Sequence, residues 1–214
     1  MADGSTRPIA EISPGDWVVS FDQTAHGGRG GLVPRRVTAV HVNKARHLLN
    51  FHGTRVTPGH VFLRAEGGFA PLLDILRADG AVVDAKGQTI RACTGFPVGS
   101  AEDAEIEILF YPHGADGPTI PGKLRGGTRL RMREGSDETE TLLEMLARHG
   151  CELLSDGTVR KPGREAGPLP WPGAPVEPYA HLLRVSGYRS LEQLYDDPAS
   201  WEGRDPRLPA SALM

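Results

Sequence analysis

Cysteine is scarce in this chain of 214 residues: only Cys93 and Cys151 carry thiols, and they stand far apart in sequence. Two such residues make neither a disulfide framework nor a Cys-x-x-Cys metal site, and they point to a reducing compartment. Long apolar runs are missing as well. Nothing approaches the roughly 18 consecutive apolar residues that a membrane-spanning helix requires. The opening MADGSTRPIA lacks the basic-then-apolar order of a secretory signal. Nor is there a surplus of charge of one sign. A net charge of -3 and a pI near 6.2 argue against a partner held through nucleic-acid phosphates. These absences together lead to the expectation of a soluble cytoplasmic protein without nucleic-acid or membrane partners.

Glycine and proline are plentiful, at 27 and 18 residues, which favours short strands and many turns over long helices. Hydrophobic residues make up 39% of the chain and charged ones 24%, enough apolar material for a buried core. From residue 8 to about 95 the text divides into short strand-like pieces. DWVVSFD (16–22) follows the turn SPGD, in which Pro14 presets the backbone and Gly15 takes the positive φ. HGGRGGLVP (26–34) reads as a loop, and RRVTAVHVNK (35–44) as an alternating strand. HLLNFHG, TRVT and HVFLRAEGGFAP follow, the last with a hairpin turn at Gly67-Gly68. LLDILRADG suggests a helical turn, and AVVDAKGQTIRACT two strands around Lys86-Gly87.

Past residue 96 the texture changes, with strands in AEIEILFYPHG and GTRLRM. SDETETLLEMLARHG (136–150) is the clearest helix: Asp137 and Glu140 fit a capping box, Leu142, Leu143, Met145 and Leu146 share a face, and Gly150 ends it. The Pro/Gly-rich stretch at 161–178 reads as a linker or extended wrap, with Trp171 packed on something. SLEQLYDDP (190–198) has a second capping pattern, Ser190 with Gln193. No internal repeat stands out.

Several residue groups invite a chemical interpretation and do not support one. His41, His47 and His52 match no common zinc spacing, so no metal or cofactor is expected. GGRGG lacks the Lys-Ser/Thr pair of a phosphate-binding loop. Asp103, Glu105 and Glu107 alternate as a solvated strand face would, and so do Arg129, Arg131 and Arg133.

Thr57-Pro58-Gly59-His60, within TRVTPGHVFL, is different. Taken alone it is a Pro-Gly turn with a His that opens a strand. In order along the chain, however, MADGSTRPIAEISPGDWVVSFD (1–22), RVTPGHVFL and GGFAPLLDIL resemble successive blocks of the Hint family, the hedgehog/intein autoprocessing domains. The resemblance covers roughly residues 1–95. It implies a Hint-like pseudo-symmetric β-domain over 1–95. The rest of the chain, by its own patterning, reads as an irregular α+β C-terminal extension over 96–214 with helices near 138–149 and 190–197, so that a mainly β fold is expected.

In that family a thiol or hydroxyl attacks the preceding peptide carbonyl, turning an amide into a thioester or ester. An amide nitrogen leaves only if it is protonated as the bond breaks, and a His near neutral pKa can supply that proton, worth roughly 10²- to 10⁴-fold. The resemblance thus implies His60 as general acid and Thr57 as its hydrogen-bonding helper. Family members carry a Cys or Ser ahead of the ADG hairpin, whereas this sequence starts on that hairpin at Met1; inteins end in His-Asn, whereas RLPASALM stands here. The expectation is autocatalytic cleavage or splicing if the nucleophile is supplied, and no turnover from the chain as it stands. The alternative is a non-catalytic structural or interaction module, for instance of a phage-derived assembly. In either case the partner is a flanking polypeptide or an assembly neighbour.

Overall fold

Glycine and proline cut the chain into short pieces, and the fold is made of hairpins. The computed structural model describes residues 1–22, 24–26, 30–42, 44–132 and 137–201. Strand β1 (Trp17–Phe21) pairs antiparallel with β2 (Leu32–Arg36), β3 (Leu49–Phe51) with β4 (Thr54–Val56), β5 (Val61–Leu63) with β6 (Phe69–Pro71), and β7 (Ala81–Val83) with β8 (Thr89–Arg91). Further on, β9 (Glu105–Tyr111) pairs with β10 (Ile120–Arg125), β11 (Arg129–Arg131) with β12 (Thr139–Thr141), and β13 (Glu152–Leu153) with β14 (Val159–Arg160). Strand β15 (Leu169–Pro172) runs parallel to β9 and completes a three-stranded sheet ordered β10-β9-β15. Four short helices interrupt the strands: α1 (Leu72–Arg77), α2 (Leu142–Arg148), α3 (Ala180–Leu183) and α4 (Leu191–Asp196). The protein is mainly β, and among the described residues no helix is long and apolar enough to cross a membrane.

A repeat that the sequence does not display is plain in the backbone. Residues 58–91 and 126–160 each fold as hairpin, helix, hairpin: β5-β6-α1-β7-β8 and β11-β12-α2-β13-β14. At the start of the first helix Leu72 N–H donates to the His60 carbonyl and Leu73 N–H to that of Pro58; in the second unit Leu142 and Leu143 donate to Thr128 and Gly126. Both helices close with the same six-to-one bond, from Gly80 to Ile75 and from Cys151 to Leu146. The residue that turns the chain has positive φ in each unit, +48° at Asp79 and +64° at Gly150. The closing hairpins match too, with Asp84 bonded to Gln88 in one and Leu154 to Thr158 in the other. Leu72, Leu73 and Leu76 have counterparts in Leu142, Leu143 and Leu146, but the chain between the capping turn and the helix is longer in the second unit and its residues differ, which hides the repeat in the sequence.

Each unit organises its own apolar cluster. The first gathers Leu49, Val56, Leu72, Leu73, Leu76 and Val82; the second gathers Ile106, Ile108 and Phe110 with Leu142, Leu146 and Val159. Strand β9 supplies its three by strict alternation of buried and less buried residues. The C-terminal part of the chain returns to the first cluster, where Leu182, Leu183, Leu191 and Leu194 are all buried. Tyr179 anchors that return by donating its hydroxyl hydrogen to the Leu76 carbonyl at 2.9 Å. The Pro-rich stretch also finds a place, because β15 lies along β9 and Trp171 packs on the second cluster.

Three local expectations are corrected. The strand expected over 35–44 ends at Arg36: after Val37 exchanges bonds with Gly15 and Asp16, no partner strand continues the ladder, and Val40 and Val42 are exposed. The helix expected from 136 begins only at Leu142, because pairing with β11 holds Thr139–Thr141 extended. Its capping box is Thr141 with Glu144, while Glu140 pairs with Arg148 and Asp137 with Arg184. Asp103 is buried rather than on a solvated face, for a reason given below. Gly27, Gly28 and Arg29 of the glycine-rich loop, Arg133, and the terminal RLPASALM lie outside the described residues.

Candidate functional site

The Thr57–His60 turn is tied to the helix that follows it. Pro58 is fully buried, and His60 N–H donates to the Thr57 carbonyl at 3.0 Å. The carbonyls of His60 and Pro58 accept from Leu72 and Leu73 at 2.8 and 3.0 Å. These two donors are among those a helix N-terminus leaves unsatisfied, and α1 has no side-chain cap to serve them. The turn therefore acts as a backbone cap.

The His60 side chain takes no part in that capping. It is exposed, with its ring edge against Phe62 at a centroid distance of 5.1 Å. Desolvation on the Phe62 side pulls its pKa below the ordinary histidine value. Thr57 is half-buried on the same turn. The chain start makes its own bonds: the Met1 ammonium donates to the Ser5 carbonyl and Ala2 N–H to the Trp17 carbonyl. Among the described residues no hydrogen bond, ion pair or ring contact joins residues 1–5 to Thr57 or His60.

A second constellation was not foreseen from sequence. Arg125, at the end of β10 and just before the second unit, bonds the Asp79 carboxylate of the first unit through Nε and Nη2 and Asp103 Oδ1 through Nη1 at 3.1 Å. Arg91 reaches the same Asp103 at 2.8 Å. Asp103 is 7% exposed; burial opposes its ionisation, but the Arg91 bond, the Gly99 amide and the two guanidiniums prevail and hold its pKa below the usual range. Cys93 lies against Asp79, its Sγ 3.4 Å from Oδ1. Burial, and then that carboxylate, push the thiol up to about 12, so Cys93 stays protonated and inert. Cys151 is also free, half-buried beside the second cluster.

The histidines divide by environment. His47 bonds the Ser186 carbonyl through Nδ1 at 2.9 Å and meets Tyr188 edge-on. His52 occupies the turn between β3 and β4 with φ of +47°, and its ring lies 5.9 Å from that of His181 on α3. His181, absent from the sequence-based candidates, is the most perturbed of them: burial first, then the charges of His52, Arg129 and Arg184, lower its pKa to about 4. The only sequence signal for it is a lone His in a short apolar run, PYAHLL, which carries no warning of its neighbours.

Comparison with protein-family models, curated proteins and solved structures returns no match for this chain.

Proposed function

We propose that the chain is an autoprocessing module of the hedgehog/intein kind, with His60 as general acid and Thr57 as its positioning partner. The substrate is a peptide bond whose following residue supplies a thiol or hydroxyl. The nucleophile adds to the carbonyl carbon, the C–N bond breaks, and the His60 proton goes to the departing amine, leaving a thioester or ester. The observation that carries the proposal is a contrast. The second unit builds the same helix-capping turn with Thr128 where the first has His60, so the fold does not require an imidazole there. His60 is nonetheless kept solvent-accessible on a rigid turn, three residues from a hydroxyl. Its lowered pKa makes it the stronger acid in the protonated fraction, so an acid-limited step accelerates as pH falls below neutral. Cys93, buried and protonated, does not fit the nucleophile's role.

The test is a fusion in which a reporter and a Cys precede the chain. Added thiol should release the reporter, because thioesters exchange with thiols and amides do not. His60→Ala should slow release roughly 10²-fold, the ordinary worth of a placed general acid, and Thr57→Ala should slow it less. A folded fusion that stays intact under thiol refutes the proposal.

A separate observation favours the alternative of an interaction module. The N-terminal hairpin region exposes Trp17 at 54%, Leu32 at 49% and Val42 at 91%, apolar surface that a flanking polypeptide or assembly neighbour would cover. Changing Trp17 to Ser would weaken such an association and leave thiol-dependent release untouched.

A further inference from the structure

A cavity of about 300 Å³ opens where the β3–β4 hairpin, the β11–β12 hairpin and α3 meet, lined by Asn50, His52, Arg129, Thr139, His181 and Arg184. Its character is cationic. Arg129 and Arg184 line it, and among the described residues no carboxylate does; the exposed Asp137, outside the lining, pairs with Arg184 at 3.2 Å. Glu144, on α2, acts on Arg129 from outside the lining.

His52 is a wall of this cavity rather than a free donor. Its Nε2–H donates to the Ala92 carbonyl at 2.9 Å, and its Nδ1 faces Gly95. A Cβ at Gly95 would come within 2.6 Å of that nitrogen, so the glycine makes room for the ring. His181 is the opposite case. Both its ring nitrogens are shielded from solvent, and among the described residues neither has a well-formed hydrogen bond. The Cys93 backbone favours its charged form only as the weakest of the influences on it. A buried imidazole so weakly bonded is costly, and here His52 on the β3–β4 turn, Arg129 on β11 and Arg184 at the end of α3 each disfavour its charged form. What this arrangement lacks is an anion.

We propose that the cavity binds a phosphate-type oxyanion, received by Arg129 and Arg184, with the Asn50 amide and the Thr139 hydroxyl as further donors and the His181 ring near enough to respond to its charge. The donors come from separate elements and so enclose a ligand, which suits a tetrahedral group with several acceptor oxygens better than a planar carboxylate. The cavity also leaves space for the organic part of a phosphomonoester. This site plays no part in the peptide chemistry proposed above and stands or falls independently of it.

The test follows the His181 ring signals by NMR while inorganic phosphate is added at constant ionic strength, with phenyl phosphate and acetate as parallel titrations. Phosphate should raise the His181 titration midpoint from about 4 by roughly one unit or more, since a bound anion favours the charged ring. Arg129→Ala, an exposed position that the fold tolerates, should weaken phosphate binding about tenfold, as loss of a charge-assisted hydrogen bond does. Arg131→Ala, two residues along the same strand and outside the lining, should change it little. Tighter binding of phenyl phosphate identifies a monoester as the ligand, and equal binding identifies free phosphate. No response of His181 to phosphate, acetate binding as tightly as phosphate, or an Arg129→Ala protein that binds like the native one would each overturn the proposal.

Discussion

The two hairpin–helix–hairpin units share a backbone and the leucines of their helices, Leu72, Leu73 and Leu76 against Leu142, Leu143 and Leu146, and differ at the turns that frame those helices. Where the first places His60, exposed, the second places Thr128, 2% exposed; where the first turns out of its helix on Asp79, the second uses Gly150. The second helix begins with a complete capping box, Thr141 with Glu144, while the first begins after Pro71 with no side-chain cap. The frame therefore rests on carbonyls of the preceding turn and on a positive-φ exit, and the side chains at those points are at liberty to do other work. In the first unit they do. His60 meets solvent, and the Asp79 carboxylate, on a turn where a glycine would suffice for the backbone, holds Arg125 at the end of β10, where the chain enters the second unit.

The most damaging way to separate the units is to remove that link. Arg125→Met should leave the buried Asp103 with Arg91 as its remaining cation and remove the bonds to Asp79, lowering stability by about 3 kcal/mol in urea unfolding. An unchanged midpoint would mean that apolar contacts alone join the units. The equivalence of the two cores is tested by Leu72→Ala and Leu142→Ala, which occupy the first helical position of each unit and are both fully buried. Each should cost about 2 to 5 kcal/mol. A marked asymmetry between them would show that one unit leans on the other.

A pH titration of stability looks at the seam between the second unit and the returning C-terminal segment. His181 has a folded pKa of about 4, below its ordinary 6.5, so the unfolded chain takes the proton first. Stability should be complete above pH 6.5 and should fall as pH drops from there towards 4, by about 3 kcal/mol if His181 acts alone. His52, lowered mainly by burial, acts in the same direction. His181→Phe should flatten the profile in this window, and a profile that stays steep would assign the effect to other groups. The smallest effect sharpens the comparison at the helix starts. Thr141→Ala should cost about 1 kcal/mol through loss of the cap, measured by thermal unfolding, with no counterpart in the first unit because α1 has no side chain in that role.

Strand and hairpin positions were legible wherever local chemistry was decisive. Gly67-Gly68 and Lys86-Gly87 mark turns because Gly67, Gly68 and Gly87 take positive φ, and strands flank each turn. Leu142 and Leu146 announced a buried helix face by their spacing, and both are buried. Thr57 and His60 were singled out by motif, and the structure adds the bonds that hold their turn. Other features had no local signature. Thr139–Thr141 could open a helix or close a strand, and pairing with β11 decided it. Asp103 alternates with Glu105 and Glu107 in the text, yet a short 3-10 turn before β9 sends it inward to Arg91 and Arg125.

By itself, then, the sequence determined a β-rich chain of short hairpins and the two amphipathic helices, since turn geometry and residue periodicity are properties of neighbours along the chain. Only the tertiary structure decided that two stretches repeat one backbone, that Arg125 at the end of β10 holds Asp79 of the first, and that His181 meets Arg129 and Arg184 around a cavity. Those outcomes depend on groups far apart along the chain, such as Arg125 with Asp103 and His181 with Arg129, and no local preference encodes them.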